Sequence, residues 1–419
     1  MIWFIAVCAL LGAPMFSVFG ALALQAYRGT GLDHSLVISE LARLATMPLL
    51  RTLPLFALAG YVLAESHASK RLLRVSRAAL GWLPGGLPIV TIIAFTIFTA
   101  FTGASGVTIV ALGGLVLPAL LAEGYHERFS LGLATSAGNL GVLFAPSLPI
   151  ILYGVIANPI SSEVTIDRLF VACALPGILG LVLLSAQGAA CGLLQRVPRR
   201  PFSPRELFAA LWDARWEAPL PFVVLGGIYS GKLVVSEAAV ITAAYALIVE
   251  VAVHREVRLG RLSAIIRDSM TLVGGVLLIL GMGMAMTNWL VDQDVPSRIL
   301  ETVRERIQHP LAFLAALNLF LLVVGCLMDI YTAIIVIVPI LVPIALEFGI
   351  QPVHLGVIFL TNLAIGYVTP PVGMNLFIAS LRFDTPLLTL SRAALPFIAT
   401  LLLLLAAVTY VPALSLWLL

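Results

Sequence analysis

Four short stretches of this 419-residue chain carry groups that could do chemistry. Asp329 lies in the middle of the apolar stretch 310–348, with Thr332 three residues on. Carboxylate and hydroxyl oxygens suit a hard cation, and a carboxylate deep in an apolar segment is a functional candidate by default. An Asp there can also cap the helix that follows, and the two roles are compatible. A second apolar stretch, 87–122, breaks at Gly103-Ala104-Ser105-Gly106. It has no acid, so a cation there would need neutral oxygens: Ser105, Asn139 and the carbonyls of Gly103 and Gly141. The other two stretches are broken by proline. One runs from Gly138-Asn139-Leu140-Gly141 through Pro146-Ser147 to Pro149, the other from Gly366-Tyr367-Val368-Thr369-Pro370-Pro371 to Gly373. Proline removes an N–H and clashes with the preceding turn, so both must unwind. Their freed carbonyls cannot face lipid and must be paired or coordinate something. Asn362 and Asn375 flank the second stretch. For each polar residue taken alone, helix–helix hydrogen bonding is the competing role.

These groups must be held by a membrane protein. The chain is 61% hydrophobic and 11% charged, with mean hydropathy +1.08, against about 25% charged in soluble domains. The apolar runs are too long and continuous for an outer-membrane barrel, so the class is an all-α, multi-pass protein. Candidate full spans are 2–26, 49–66, 128–157, 168–195, 217–231, 234–252, 268–291, 354–382 and 392–418. The stretches 87–122 and 310–348 are each either two spans or one re-entrant hairpin. With hairpins, sixteen of the 24 Lys and Arg fall on one side. The positive-inside rule makes that side cytoplasmic, with the N-terminus inside and the C-terminus outside. The N-terminus lacks a basic n-region and reads as a retained first helix.

Shifting the chain by 225 residues matches its halves. Pro118 falls on Pro343, Gly124 on Gly349, Gly141 on Gly366 and Pro146 on Pro371. The reading is a first repeat over 1–195 (hairpin 87–122, broken span 128–157) and a second over 230–419 (hairpin 310–348, broken span 354–382). A cytoplasmic linker and one connecting span, 196–229, lie between and invert the second half. The basic segment 68–81 and its counterpart 295–308 read as amphipathic helices along the interface. Inverted repeats with broken helices are a secondary-transporter architecture, with the site at the breaks near the midplane. Half-helix N-termini suit an anionic substrate.

Other classes find little support. The chain has no HExxH, no P-loop and no GxSxG with a plausible triad, which argues against an enzyme or ATPase. No basic block with interleaved aromatics suggests nucleic acid. Four scattered cysteines and six histidines near span ends suggest no metal site and no cofactor. Glu237 reads as a structural helix-start acid, Arg51 as a snorkelling side chain, and Trp212, Arg215 and Trp216 as interfacial anchors.

The runs 101–157, 225–247 and 354–381, with TPPVGMNLF at 369–377, resemble the large membrane subunit of the tripartite ATP-independent periplasmic (TRAP) transporters. The resemblance covers essentially the whole chain. It implies a bacterial inner-membrane symporter with sodium as coupling ion, importing an organic anion, commonly a carboxylate. It also implies a periplasmic substrate-binding protein, a separate small four-helix membrane subunit, and an elevator-type fold. Cation sites would then involve Gly103, Ser105, Asn139, Gly141 and Pro146 on one side. On the other stand Asp329, Thr332, Gly366, Thr369 and Pro370. Ser105, Asn139, Ser147, Asn362 and Asn375 would face substrate. One departure is Ala145-Pro146, where the family usually has two prolines. The rival reading is a standalone sodium/anion symporter needing no binding protein.

Overall fold

The computed structural model describes residues 13–30, 33–47, 52–83, 85–197, 202–295 and 309–419, with positions 5, 7, 8, 50, 298, 301 and 307. Every regular element among them is helical. Arg51, most of the start of the first expected span, and most of the arm 295–308 lie outside the described residues.

Chain order gives α1 (Met15–Thr30), α2 (Ser35–Thr46), α3 (Thr52–Glu65) and α4 (Ala68–Leu80). The first hairpin follows as α5 (Gly86–Thr102) and α6 (Ser105–Ala122). The first broken span is α7 (Glu127–Leu143, its last seven residues wound as 3₁₀) and α8 (Leu148–Ala157), bent by 40°. After α9 (Ile166–Leu194) come α10 (Pro204–Asp213), α11 (Pro219–Tyr229), α12 (Val235–Val253) and α13 (Leu259–Asp292). The second hairpin is α14 (Pro310–Leu327) and α15 (Ile330–Glu347). The second broken span is α16 (Pro352–Gly366) and α17 (Met374–Phe383), followed by α18 (Leu387–Tyr410) and the short α19 (Ala413–Leu416).

Local sequence explains these limits. Proline opens α10, α11, α14 and α16, where its missing N–H is no loss. The side chains of Thr165 and Ser203 accept the N–H groups of Arg168 and Glu206 and so start α9 and α10. Gly103 ends α5 at φ +71°, a left-handed geometry that glycine adopts without penalty. The chain then folds back. The Thr99 and Thr108 hydroxyls are 2.7 Å apart, whereas nine residues of straight helix would separate them by about 13 Å. Glu237 takes its expected place, accepting the Val234 N–H at 3.2 Å.

Seven helices are long and apolar enough to cross a membrane, or up to eight with the bent pair α7–α8 as one span, among the described residues. Two expectations shift. Residues 217–231 form only the 11-residue α11, which rises about 16 Å, half the thickness of a bilayer core. The basic arm α4 is amphipathic as read, but its arginines face protein. Arg71 pairs with Glu217, Glu250 and Glu256, Arg74 with Asp213 and Arg77 with Glu123. An amphipathic pattern reports a polar face, not whether lipid headgroups or carboxylates meet it.

Candidate functional site

The hairpin tips and the broken spans meet around Gly103. Tyr331, in the first turn of α15, donates its hydroxyl to the Gly103 carbonyl at 2.8 Å. A Cβ built at Gly103 would lie 2.6 Å from Leu148 Cδ1, so the start of α8 abuts the same tip. Ser105, the first residue of α6, donates to Asn375 Oδ1 at 3.0 Å, which brings in the start of α17. Four helix N-termini (α6, α8, α15 and α17) therefore gather at one buried place. Each brings the positive end of its dipole to the same place, although several of the first N–H groups of α15 and α17 are already bonded within the protein.

Asn375 is the hub. Its Nδ2 donates to Asn139 Oδ1 at 2.6 Å, while its backbone N–H bonds the Tyr367 carbonyl at 3.0 Å. Ser105, Asn139 and Asn375 are all buried. The Asn139 amide nitrogen and the Ser147 hydroxyl are buried without a hydrogen-bond partner in the protein. An unpaired buried donor is costly and suits an anionic or carbonyl acceptor.

The second tip is built differently. Asp329 caps α15: its carboxylate accepts the Thr332 N–H at 3.0 Å and also the Thr332 hydroxyl. The Ile330 N–H bonds the Tyr367 hydroxyl at 2.8 Å. The unwound residues 367–373 are pinned by Gly373 N–H to the Cys326 carbonyl and by the Thr369 hydroxyl to the Ile365 carbonyl. The peptide bonds before Pro146 and Pro371 are both cis; Pro370 precedes the second.

The matched glycines make matched contacts. A Cβ on Gly141 would come within 2.4 Å of Thr99 Cβ and 2.7 Å of the Thr96 carbonyl on α5. A Cβ on Gly366 would lie 2.4 Å from the Gly325 carbonyl carbon on α14. Each broken span thus presses backbone to backbone on the first arm of its own hairpin, where only glycine fits.

Most predicted site residues meet here, but not all. Gly103, Ser105, Asn139, Gly141, Pro146 and Ser147 cluster at the first tip. Asp329, Thr332, Gly366, Thr369 and Pro370 surround the second. Asn362 is bonded elsewhere: its amide nitrogen donates to Asn318 Oδ1 and the Ile358 carbonyl, and Asn318 in turn donates to Thr409. The carbonyls expected to face a cation already accept protein donors. Gly103 accepts Tyr331, Gly141 accepts the Phe144 N–H and Gly366 the Thr369 N–H, which leaves each its second lone pair. Tyr331 and Tyr367 were missed, since aromatic residues in apolar runs read as packing. Their positions beside Asp329 and inside the unwound segment were the available signal.

A cavity of about 420 Å³ opens beside the first tip. Gly106, Val107 and Val110 of α6 form one wall, and Tyr61, Glu65 and Asp268 of α3 and α13 the other. Glu65 is bridged by Arg261 at 2.8 Å. Behind the cavity, α3 touches the hairpin at Gly60, where a Cβ would lie 2.6 Å from Thr102 Cα.

The fold and the sequence both have counterparts among known proteins. In fold, the chain is similar to the YdaH transporter of Alcanivorax borkumensis (TM-score 0.64, 18% identity, 96% of this chain and 98% of that one). It is likewise similar to MtrF of Neisseria gonorrhoeae (TM-score 0.65, 14% identity, 89% and 82%). In sequence it is 35% identical to the C4-dicarboxylate TRAP transporter large permease protein DctM of Pseudomonas aeruginosa, over 88% of this chain and 85% of that one. It is 34% identical to the isethionate TRAP transporter permease protein DctMQ of Oleidesulfovibrio alaskensis (98% and 68%). It is 31% identical to the ectoine/5-hydroxyectoine large permease protein UehC of Ruegeria pomeroyi (98% and 96%). The family model described as tripartite ATP-independent periplasmic transporter, DctM component, matches residues 1–414. Transporter permeases of this kind are not enzymes, and this chain, a multi-pass membrane protein, belongs to the DctM component family of TRAP transporters.

Proposed function

We propose that this chain is the moving, membrane-spanning part of a cation-driven importer of organic anions, with sodium as coupling ion and a carboxylate on the cargo. The observation that carries the reading is the meeting of four helix N-termini at the Ser105–Asn375–Asn139 cluster. Partial positive charge and an unpaired amide donor there favour an anion. The Asp329–Thr332 oxygens beside it favour a hard cation. Neither ligand alone balances the site: the anion leaves Asp329 uncompensated, and the cation leaves the N-termini unfilled.

The hairpins and broken spans are read as one body, sliding in elevator fashion against a scaffold that includes α3, α4 and α13. Gly60 is a bare contact between them, and the cavity beside the first tip is the side entrance. The two halves are read as inverted repeats, with the matched Gly141 and Gly366 packings as support. The basic side faces the cytoplasm of a bacterial inner membrane and the C-terminus the periplasm. A small four-helix membrane subunit and a periplasmic binding protein that delivers the substrate complete the assembly.

The test is uptake into proteoliposomes holding this chain and its small subunit, with binding protein outside and an inward sodium gradient. Uptake that requires both sodium and binding protein supports the reading. Uptake without the binding protein indicates a standalone symporter instead.

A further inference from the structure

Six ionisable side chains converge where the arm helix α4 meets α12 and the residues before α11, with Glu217 lining a small pocket that Phe101 and Thr102 of α5 also line. Arg71 lies 2.5 Å from Glu217, 2.5 Å from Glu256 and 3.3 Å from Glu250. His254 Nε2 lies 3.0 Å from Glu217, and His67 Nδ1 3.3 Å from Glu256. Glu217 and Glu250 are 2% and 0% exposed. Around them, Ser66 stands beside Glu250, and Tyr245 donates its hydroxyl to the Trp216 carbonyl; Lys70 and Arg255 adjoin the cluster in sequence. Arg74, one turn along, is bonded to Asp213.

The charge balance is uneven. One guanidinium faces three carboxylates, so the ionised cluster with neutral imidazoles carries a net −2, two of its acids out of water. Uncompensated buried charge is strongly unfavourable. A metal ion does not answer it, because the carboxylates point at Arg71. No group of three or more His, Cys, Asp or Glu among the described residues is arranged to hold one. Protons do answer it. With both imidazoles protonated, three positive groups meet three negative ones and the cluster is neutral.

We infer that the Arg71 cluster is a proton-binding site on the basic side of the chain, and that its protons latch the arm helix α4 to the connector between the two halves. The arm leads through residues 81–85 directly into the first hairpin, so its hold governs the base from which that hairpin moves; this consequence for transport rests on the function proposed above. Histidine is the side chain that changes charge near neutral pH. The cluster is neutral with both imidazoles charged and carries a net −2 with both neutral, so the latch is closed at low pH and is released as pH rises.

Hydrogen–deuterium exchange of residues 66–80 in the purified full chain tests this without any transport. Between about pH 6 and about pH 8.5, after correction for intrinsic rates, exchange in the unaltered protein should rise at least about threefold. The rise should vanish in His254→Gln. A second variant, Glu217→Gln, removes one negative charge and should also flatten the profile. A flat profile in the unaltered protein, or a full rise retained in both variants, overturns the inference. Uptake at the same two pH values on the basic side then reads the consequence: a rate at least about threefold lower at the higher pH, abolished in His254→Gln. Failure of sodium-driven uptake would sink the symport reading and leave the exchange result standing.

Discussion

The amide nitrogen of Asn375 lies 2.6 Å from the amide oxygen of Asn139, a hydrogen bond between residues 236 positions apart. It ties the start of α17 to the 3₁₀ turn of the first broken span, and Ser105 adds the first hairpin tip. The backbone N–H of the same Asn375 holds the second unwound segment through Tyr367. One residue therefore reaches both break regions, which gives a physical route for occupancy of one to be felt at the other.

Asn375→Ala should break that tie. Asn139 would lose its donor and Ser105 its acceptor, both buried, at a cost of about 1–3 kcal/mol. Uptake should fall at least about tenfold with a raised sodium requirement, because both regions lose a shared partner. Sodium titrations of uptake by equal amounts of folded protein would check it.

Two substitutions at Asp329 separate charge from capping. Asparagine keeps an oxygen for the Thr332 N–H, and alanine does not. Asp329→Ala should destabilise the protein by about 1 kcal/mol, and both variants should lose sodium-driven uptake. Melting curves alongside uptake distinguish them. An active Asp329→Asn would reduce Asp329 to a helix cap.

Gly60→Ala places a methyl 2.6 Å from a backbone carbon of the first hairpin, which cannot rotate away. The hairpin tip must move off α3. Labelling of a cysteine at Val107→Cys, in the cavity wall, should change at least about threefold in rate. Unchanged labelling with a lower melting temperature would make Gly60 a packing residue only.

The charged arm predicts a pH effect at the acid end. Burial works to raise the Glu256 carboxyl, but hydrogen bonds from Arg71 and from the His67 N–H outweigh it and hold it at about 2. A depressed carboxyl stabilises the fold above its unfolded value of about 4.5, and that contribution fades as pH falls toward about 2. Glu256→Gln should therefore lower the melting temperature most at neutral pH. The gap to the unaltered protein should close progressively below about pH 4.5.

The breaks were legible because glycine and proline announce them: Gly103, Pro146, Asp329 and Pro370 stand where helices end or unwind. The meeting of Ser105, Asn139 and Asn375 was legible only as separate polar residues near those breaks, since periodicity cannot say which turns touch. Asn362 shows the limit. Its spacing from the break matched the others, yet tertiary packing gave it Asn318. The Arg71 cluster was less legible still, for its acids lie up to 185 residues away and each reads locally as an ordinary charge. Span 217–231 is shorter as a helix because Glu217 at one end and the Ser230-Gly231-Lys232 turn at the other lie outside the apolar run that winds as α11.

The most direct test of the account is the melting temperature of the purified protein in sodium against choline. Ions that bind only the folded state raise it with concentration. The account predicts a sodium-specific rise in the unaltered protein, lost in Asp329→Asn and reduced in Asn375→Ala. An equal rise in all three, or none in the unaltered protein, would contradict a cation site at the second tip coupled through Asn375.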